Sequence, residues 1–171
     1  MKRIRWEDKW SAKLAKWLDL TRIFLEENNL IEKDRLLFSH IASEWQLRAE
    51  NIKKSNMWLR KGLPDFIISI PREIAAPGKP TLIFIELKEP NQLTEKVSVA
   101  TPEQLLWLST LSEHDGVETK LCIRYQTAIT FFLDHLSVKA KRILDRESHL
   151  EAIDDLQWIR TLRDELAGFA G

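Results

Sequence analysis

Two short β-rich apolar runs restrict this chain more than any other feature: FIISI (66–70) and TLIFIEL (81–87), each with charge at one end. The first opens after Gly62, Pro64 and Asp65 and closes at Pro71, while the second ends in Glu86 and Lys88. Between them PREIAAPGKP carries three prolines and one glycine, the composition of a surface loop. TLIFIEL is apolar at nearly every position, which suits a strand covered on both faces in an α/β layer rather than one with a wet side.

The flanking segments fit the same architecture. Trp6, Trp10, Leu14, Trp17, Leu18, Phe24 and Leu25 recur at three- and four-residue steps, so an amphipathic helix is predicted over 6–27, with Asn28 and Asn29 as its stop. LLFSHIASEW (36–45) reads as a short strand or turn, and RAENIKKSNMWLRKG as helical until Gly62 ends it. Thr101 and Pro102 suit the cap and first turn of a helix whose apolar stripe is Leu105, Leu108 and Leu111 with Trp107, and His114-Asp115-Gly116 ends it. TKLCIRY (119–125) is the third strong strand, and TAITFFLDHL the helix after it. The crossover between the second and third of these strands implies that they run parallel in a mixed sheet flanked by helices.

At 171 residues, 44% of them apolar, the chain is long enough for one sizeable core and too short for two ordinary domains. One domain over 1–171 is expected, with its core from about 36 to 136, an N-terminal helix within 1–30 and a charged helical extension over 137–171. The extension carries Ile143, Leu144, Leu150, Ile153, Leu156, Ile159 and Leu162, which either cap the core or form a partner interface. No run approaches the roughly 18 to 20 apolar residues of a membrane span, and the N-terminus lacks a signal-peptide core, so a soluble, cytoplasmic protein is expected. The single Cys122 excludes disulfide scaffolds and cysteine-rich zinc sites and reads as a small core residue. With 26 basic and 26 acidic residues the chain is no generic polycation, so any nucleic-acid contact must rest on local positive charge.

Glu86 and Lys88 stand two apart and project to one face of their strand, and Asp65 stands at the mouth of the other. An apolar sheet tolerates such charges when they meet each other or a metal ion, because burying one alone costs several kcal/mol. Two carboxylates, a backbone carbonyl and waters suit Mg²⁺ or Mn²⁺, and the lysine can orient a water or offset phosphate charge. Each piece alone has an ordinary explanation: GLPD is a turn, and E-x-K is an edge ion pair.

GLPD, twenty intervening residues, ELK, then Gln104 on the next helix resembles the PD-(D/E)xK nuclease superfamily and, within it, the VRR-NUC family of small stand-alone phage and bacterial nucleases. FSHIASE resembles the segment that precedes the GxPD motif in many of these proteins, and the resemblance runs from about Phe38 to Leu136. It implies an α/β restriction-endonuclease-like core in which Asp65 and Glu86, with the Leu87 carbonyl, hold the metal, and Lys88 and Gln104 complete the catalytic set. Glu44, or Glu7, would complete the metal shell. The chain departs from the family in lacking a glycine between Lys88 and Gln104, and in the Trp45-Gln46 pair after Glu44.

The resemblance also implies a divalent-metal-dependent endonuclease on DNA, branched like a four-way junction, and a two-fold homodimer. Lys53, Lys54, Arg60 and Lys61 cluster before Asp65 and, with His40, are candidate nucleic-acid contacts, set against a solvated helix face and a structural histidine. Gln104 has a second role open to it, since Thr101-Pro102-Glu103-Gln104 fits a capping box. The alternatives at the level of function are a non-catalytic binding module on a nuclease fold, or a nuclease acting on RNA or on flapped or nicked duplex.

Overall fold

The computed structural model describes residues 6–41, 62–88, 90 and 99–146. The chain starts in helix α1 (Trp6–Glu27), whose buried stripe is Leu14, Trp17, Leu18, Phe24 and Leu25. Asn29, at φ 54°, ends it: this left-handed residue brings the Leu30 N–H back to the Leu25 carbonyl at 2.9 Å. Both features agree with the periodicity and the asparagine stop.

Among the described residues four strands follow in the order β1 (Leu37–His40), β2 (Phe66–Ser69), β3 (Leu82–Lys88) and β4 (Val117–Ile123), and they lie side by side in that order. The first two pairings are antiparallel, and β3 runs parallel to β4, as the crossover requires. Helix α2 (Pro102–Ser112) makes that crossover; α3 (Tyr125–Asp134) and α4 (Val138–Arg146) follow β4.

The pleat divides the sheet into two different faces. On one, Phe66 and Ile68 of β2, Ile83, Ile85 and Leu87 of β3 and Cys122 of β4 join α1, α3 and α4 in a single apolar cluster, with Trp17 meeting Phe132 edge to face at 5.7 Å. On the other, α2 packs across β3 and β4 with only Leu108 buried on it; Phe84, Glu86 and Lys88 of β3 are also buried. Strand β3 is therefore covered on both sides, as its unbroken apolar run requires.

Three expectations need correction. The third strong strand ends at Ile123 rather than 125, because Arg124 takes φ 70° and Tyr125 opens α3. Leu105 is not part of a buried stripe: it is 50% exposed, since α2 packs over β3 and β4 through Leu108. The core extends beyond 36–136, since it takes in Leu14 at one end and Ala140 and Leu144 at the other. The first part of the extension, α4, thus packs on the core, while Leu150, Ile153, Leu156, Ile159 and Leu162 lie outside the described residues. The loop 71–80 ties this end down, with Ala76 N–H on the His135 carbonyl and Ser137 N–H on the Ile74 carbonyl, both at 2.7 Å. Among the described residues no helix is long and apolar enough to cross a membrane.

Candidate active site

The α2 face of β3 carries the charged residues singled out in the sequence. Phe66 pairs with Ile85 across β2 and β3, and one step further along the same register Asp65 comes opposite Glu86. Pro64 is buried just before it. Asp65 is gripped from both neighbouring strands: its carbonyl accepts from Ile41 N–H at 2.7 Å, and its side-chain Oδ2 accepts from Leu87 N–H at 2.8 Å. This bond answers why an acidic residue stands at the mouth of a buried strand, since its carboxylate satisfies a ladder amide that would otherwise be left over.

Lys88 turns its backbone the other way, its carbonyl accepting from Arg124 N–H at 2.8 Å beside β4. Since neighbouring residues of a strand direct their amide and carbonyl to opposite sides, the Leu87 carbonyl leaves β3 on the Asp65 side. By register, Asp65, Glu86 and the Leu87 carbonyl therefore lie at the same end of the β2–β3 pair.

The Glu86 carboxylate is 1% exposed, and Lys88 Nζ stands 2.8 Å from its Oε1. Gln104 donates to that same Oε1 through Nε2. A carboxylate so deeply buried is tolerable because two donors meet it, one of them charged. Gln104 also forms the capping box: Thr101 N–H donates to Gln104 Oε1 at 2.9 Å, and Gln104 N–H to Thr101 Oγ1 at 3.3 Å. One side chain thus makes both the cap and the contact with Glu86.

Gly62, the first residue of the GxPD turn, has φ 85°. A Cβ there would stand 2.7 Å from the Glu103 carbonyl carbon and 2.9 Å from Gln104 N, so the turn carrying Asp65 lies directly on the first turn of α2. The glycine is required by backbone conformation and by this close approach alike.

His40 pairs with Phe66, its ring 4.9 Å away, on the sheet face opposite Glu86 and Lys88. Glu44, Lys53, Lys54, Arg60 and Lys61 lie outside the described residues, as does the side chain of Glu7. Arg124, which sequence reasoning did not single out, is exposed beside the Lys88 carbonyl; its positive φ leaves no mark in a strand-like sequence. The link from Thr101 through Gln104 to Glu86 was half visible, in the T-x-x-Q spacing of the cap.

The donor set fits a hard divalent ion. Asp65, Glu86 and the Leu87 carbonyl offer oxygen donors, while the Lys88 and Gln104 nitrogens occupy Glu86 Oε1; among the described residues no group of three or more His, Cys, Asp and Glu that could hold a metal ion comes together. Mg²⁺ favours that arrangement, keeping several waters and binding through one or two carboxylates together with substrate phosphate.

Among curated proteins none matches the chain. A solved structure named "VRR_NUC domain protein" aligns at 20% identity and a TM-score of 0.42, over 71% of this chain and 87% of that one. The profile of the VRR-NUC domain matches residues 5–123, beginning earlier than the motif-based resemblance and taking in α1. That span includes Gly62, Asp65, Glu86, Lys88 and Gln104, and covers well over half of the sequence: the chain belongs to the VRR-NUC family, and its function is of nuclease type.

Proposed function

We propose that this protein is a divalent-metal-dependent endonuclease that hydrolyses phosphodiester bonds of branched DNA, such as a four-way junction, working in the cytoplasm as a homodimer. The observation that carries the metal-dependent reading is the placement of Asp65, by register, opposite the buried Glu86–Lys88 pair at one end of β2 and β3. Branched DNA and dimerisation are supported by the family resemblance.

Asp65, Glu86 and the Leu87 carbonyl would hold Mg²⁺ or Mn²⁺, with Glu44 or Glu7 as further candidates. Such an ion supplies Lewis-acid screening of the charge on a phosphate undergoing attack. Lys88 Nζ donates to the attacking water and faces the scissile phosphate, offsetting its negative charge in a pocket where the shielding of bulk solvent is reduced. Glu86 fixes Nζ by its 2.8 Å contact, and Gln104 fixes Glu86. Asp65 is held ready by the Leu87 amide, so little reorganisation is needed when substrate arrives. Lys53, Lys54, Arg60 and Lys61, just upstream in sequence, are the proposed contacts to the nucleic-acid backbone, with His40 a more remote candidate.

The test is cleavage of labelled four-way junction, flap, duplex, single-stranded DNA and RNA with Mg²⁺ or Mn²⁺, using the native protein, Asp65→Ala and Lys88→Ala. Metal-dependent cutting of the junction, reduced at least a hundredfold by both substitutions, is expected. Binding without cutting under either ion would leave a non-catalytic module, and preferred cutting of RNA or flaps would replace the branched substrate. Light scattering across micromolar concentrations should give the dimer mass; a monomer throughout removes the two-fold assembly.

A further inference from the structure

We propose that Thr101 is a positioning residue of this site: its backbone N–H decides which end of the Gln104 amide faces Glu86. The wiring stands on geometry, and its catalytic consequence rests on the nuclease reading above.

The two ends of a glutamine amide are nearly alike in size, so shape alone does not choose between them. Chemistry chooses here, because both neighbours have fixed polarity. The Thr101 N–H can only donate, and it meets Gln104 Oε1 at 2.9 Å. The Glu86 carboxylate, held against the Lys88 ammonium, accepts, and it meets Gln104 Nε2. Turning the amide over would set N–H against N–H and oxygen against carboxylate, losing both bonds at once. Thr101 thus passes its polarity through one side chain to the buried carboxylate that also holds Lys88.

The close packing of Gly62 on Glu103 and Gln104 adds a second constraint, because it seats the first turn of α2 against the turn that ends in Asp65. One helix start therefore registers both acids. Such supporting bonds around metal-binding side chains typically matter by about 10- to 100-fold in affinity or activity.

Thr101 has φ −70° and ψ 157°, a conformation open to proline and correct before Pro102. Thr101→Pro thus deletes the donor N–H without a change of backbone angle. Thr101→Val deletes only the cap oxygen. Both variants should melt at lower temperature. If Thr101 positions Gln104, Thr101→Pro weakens Mn²⁺ binding, followed by titration, and lowers kcat at saturating metal, each at least about tenfold more than Thr101→Val does. A merely structural cap would lower the melting temperature in both variants and leave their Mn²⁺ affinity and kcat alike, overturning the proposal.

Hydrogen exchange of the Gln104 side-chain NH₂, read by ¹⁵N NMR, tests the wiring independently of activity. Protection retained in Thr101→Val and lost in Thr101→Pro supports it; equal protection in the two overturns it. Should Thr101→Pro not fold, Gln104→Glu serves in its place: it still accepts from Thr101 N–H and keeps the cap, but opposes Glu86 with an oxygen. The opposed carboxylates should also lower the melting temperature, so Mn²⁺ is titrated where the variant is still folded: lost affinity there supports the wiring, and retained affinity overturns it. A native protein that neither binds Mn²⁺ nor cuts DNA refutes the nuclease reading, with the exchange experiment still deciding the wiring.

Discussion

Gly62 concentrates two constraints in one residue. Its φ of 85° already disfavours a side chain, and a Cβ would press on backbone atoms of Glu103 and Gln104 that cannot swing aside. Gly62→Ala is expected to lower stability by about 2 kcal/mol or more and to reduce cleavage beyond that loss, read by urea unfolding and single-turnover kinetics. The glycine was legible in the sequence as a turn, and the helix expected before it lies outside the described residues; its contact with a helix forty residues on was not legible, because only the tertiary fold brings the two together. Asp65, Glu86 and Lys88 were legible for a different reason: charges at the ends of apolar runs need partners. Cys122 makes a pH prediction of its own. Burial pushes its thiol from 9.0 up to about 12, so the folded state keeps a proton that the unfolded state releases. Stability should be complete below about pH 9 and fall as pH rises towards 12, more steeply than in Cys122→Val, as urea titrations across that range would show. A disulfide reagent at pH 8 should meanwhile react only on unfolding.

Helix α2 shows how far a pattern can be trusted at the level of an element. Its cap was readable because a capping box is local, with every partner within four residues. Its buried face was not, because periodicity reports apolar positions and not the width of the surface that receives them. Leu108 is 8% exposed, whereas Leu106 is 68% exposed. Leu108→Ala should cost about 2 to 4 kcal/mol and Leu106→Ala less than about 0.5 kcal/mol in denaturant titrations. Equal losses would mean that α2 presents a different edge to the sheet. The end of β4 was misplaced by two residues for a related reason. TKLCIRY is β-favouring throughout, and only a left-handed turn at Arg124, which no side chain announces, stops the strand where α3 must begin.

Across the whole molecule, motif residues mark the site while apolar burial marks the body, and the two have different limits. A boundary drawn around the motif, at about 36 to 136, omits α1 and α4, although both bury side chains in the same cluster as β2 and β3. The extension looked ambiguous because its apolar residues are sparse among charges. Geometry resolves its first turns: Ala140 is wholly buried and Leu144 is 2% exposed. A charge at Leu144 would have to be desolvated in an apolar cluster, whereas at Lys139, exposed on the same helix, it would stay in water. Leu144→Asp is therefore expected to abolish cooperative unfolding or lower stability by at least about 3 kcal/mol, while Lys139→Asp changes it by less than about 1 kcal/mol. Tryptophan fluorescence reads this well, since Trp17 lies in the same core. If Leu144→Asp unfolds at the same urea concentration as Lys139→Asp, α4 is not part of the body that holds β3 in place, and the site would keep its geometry without it.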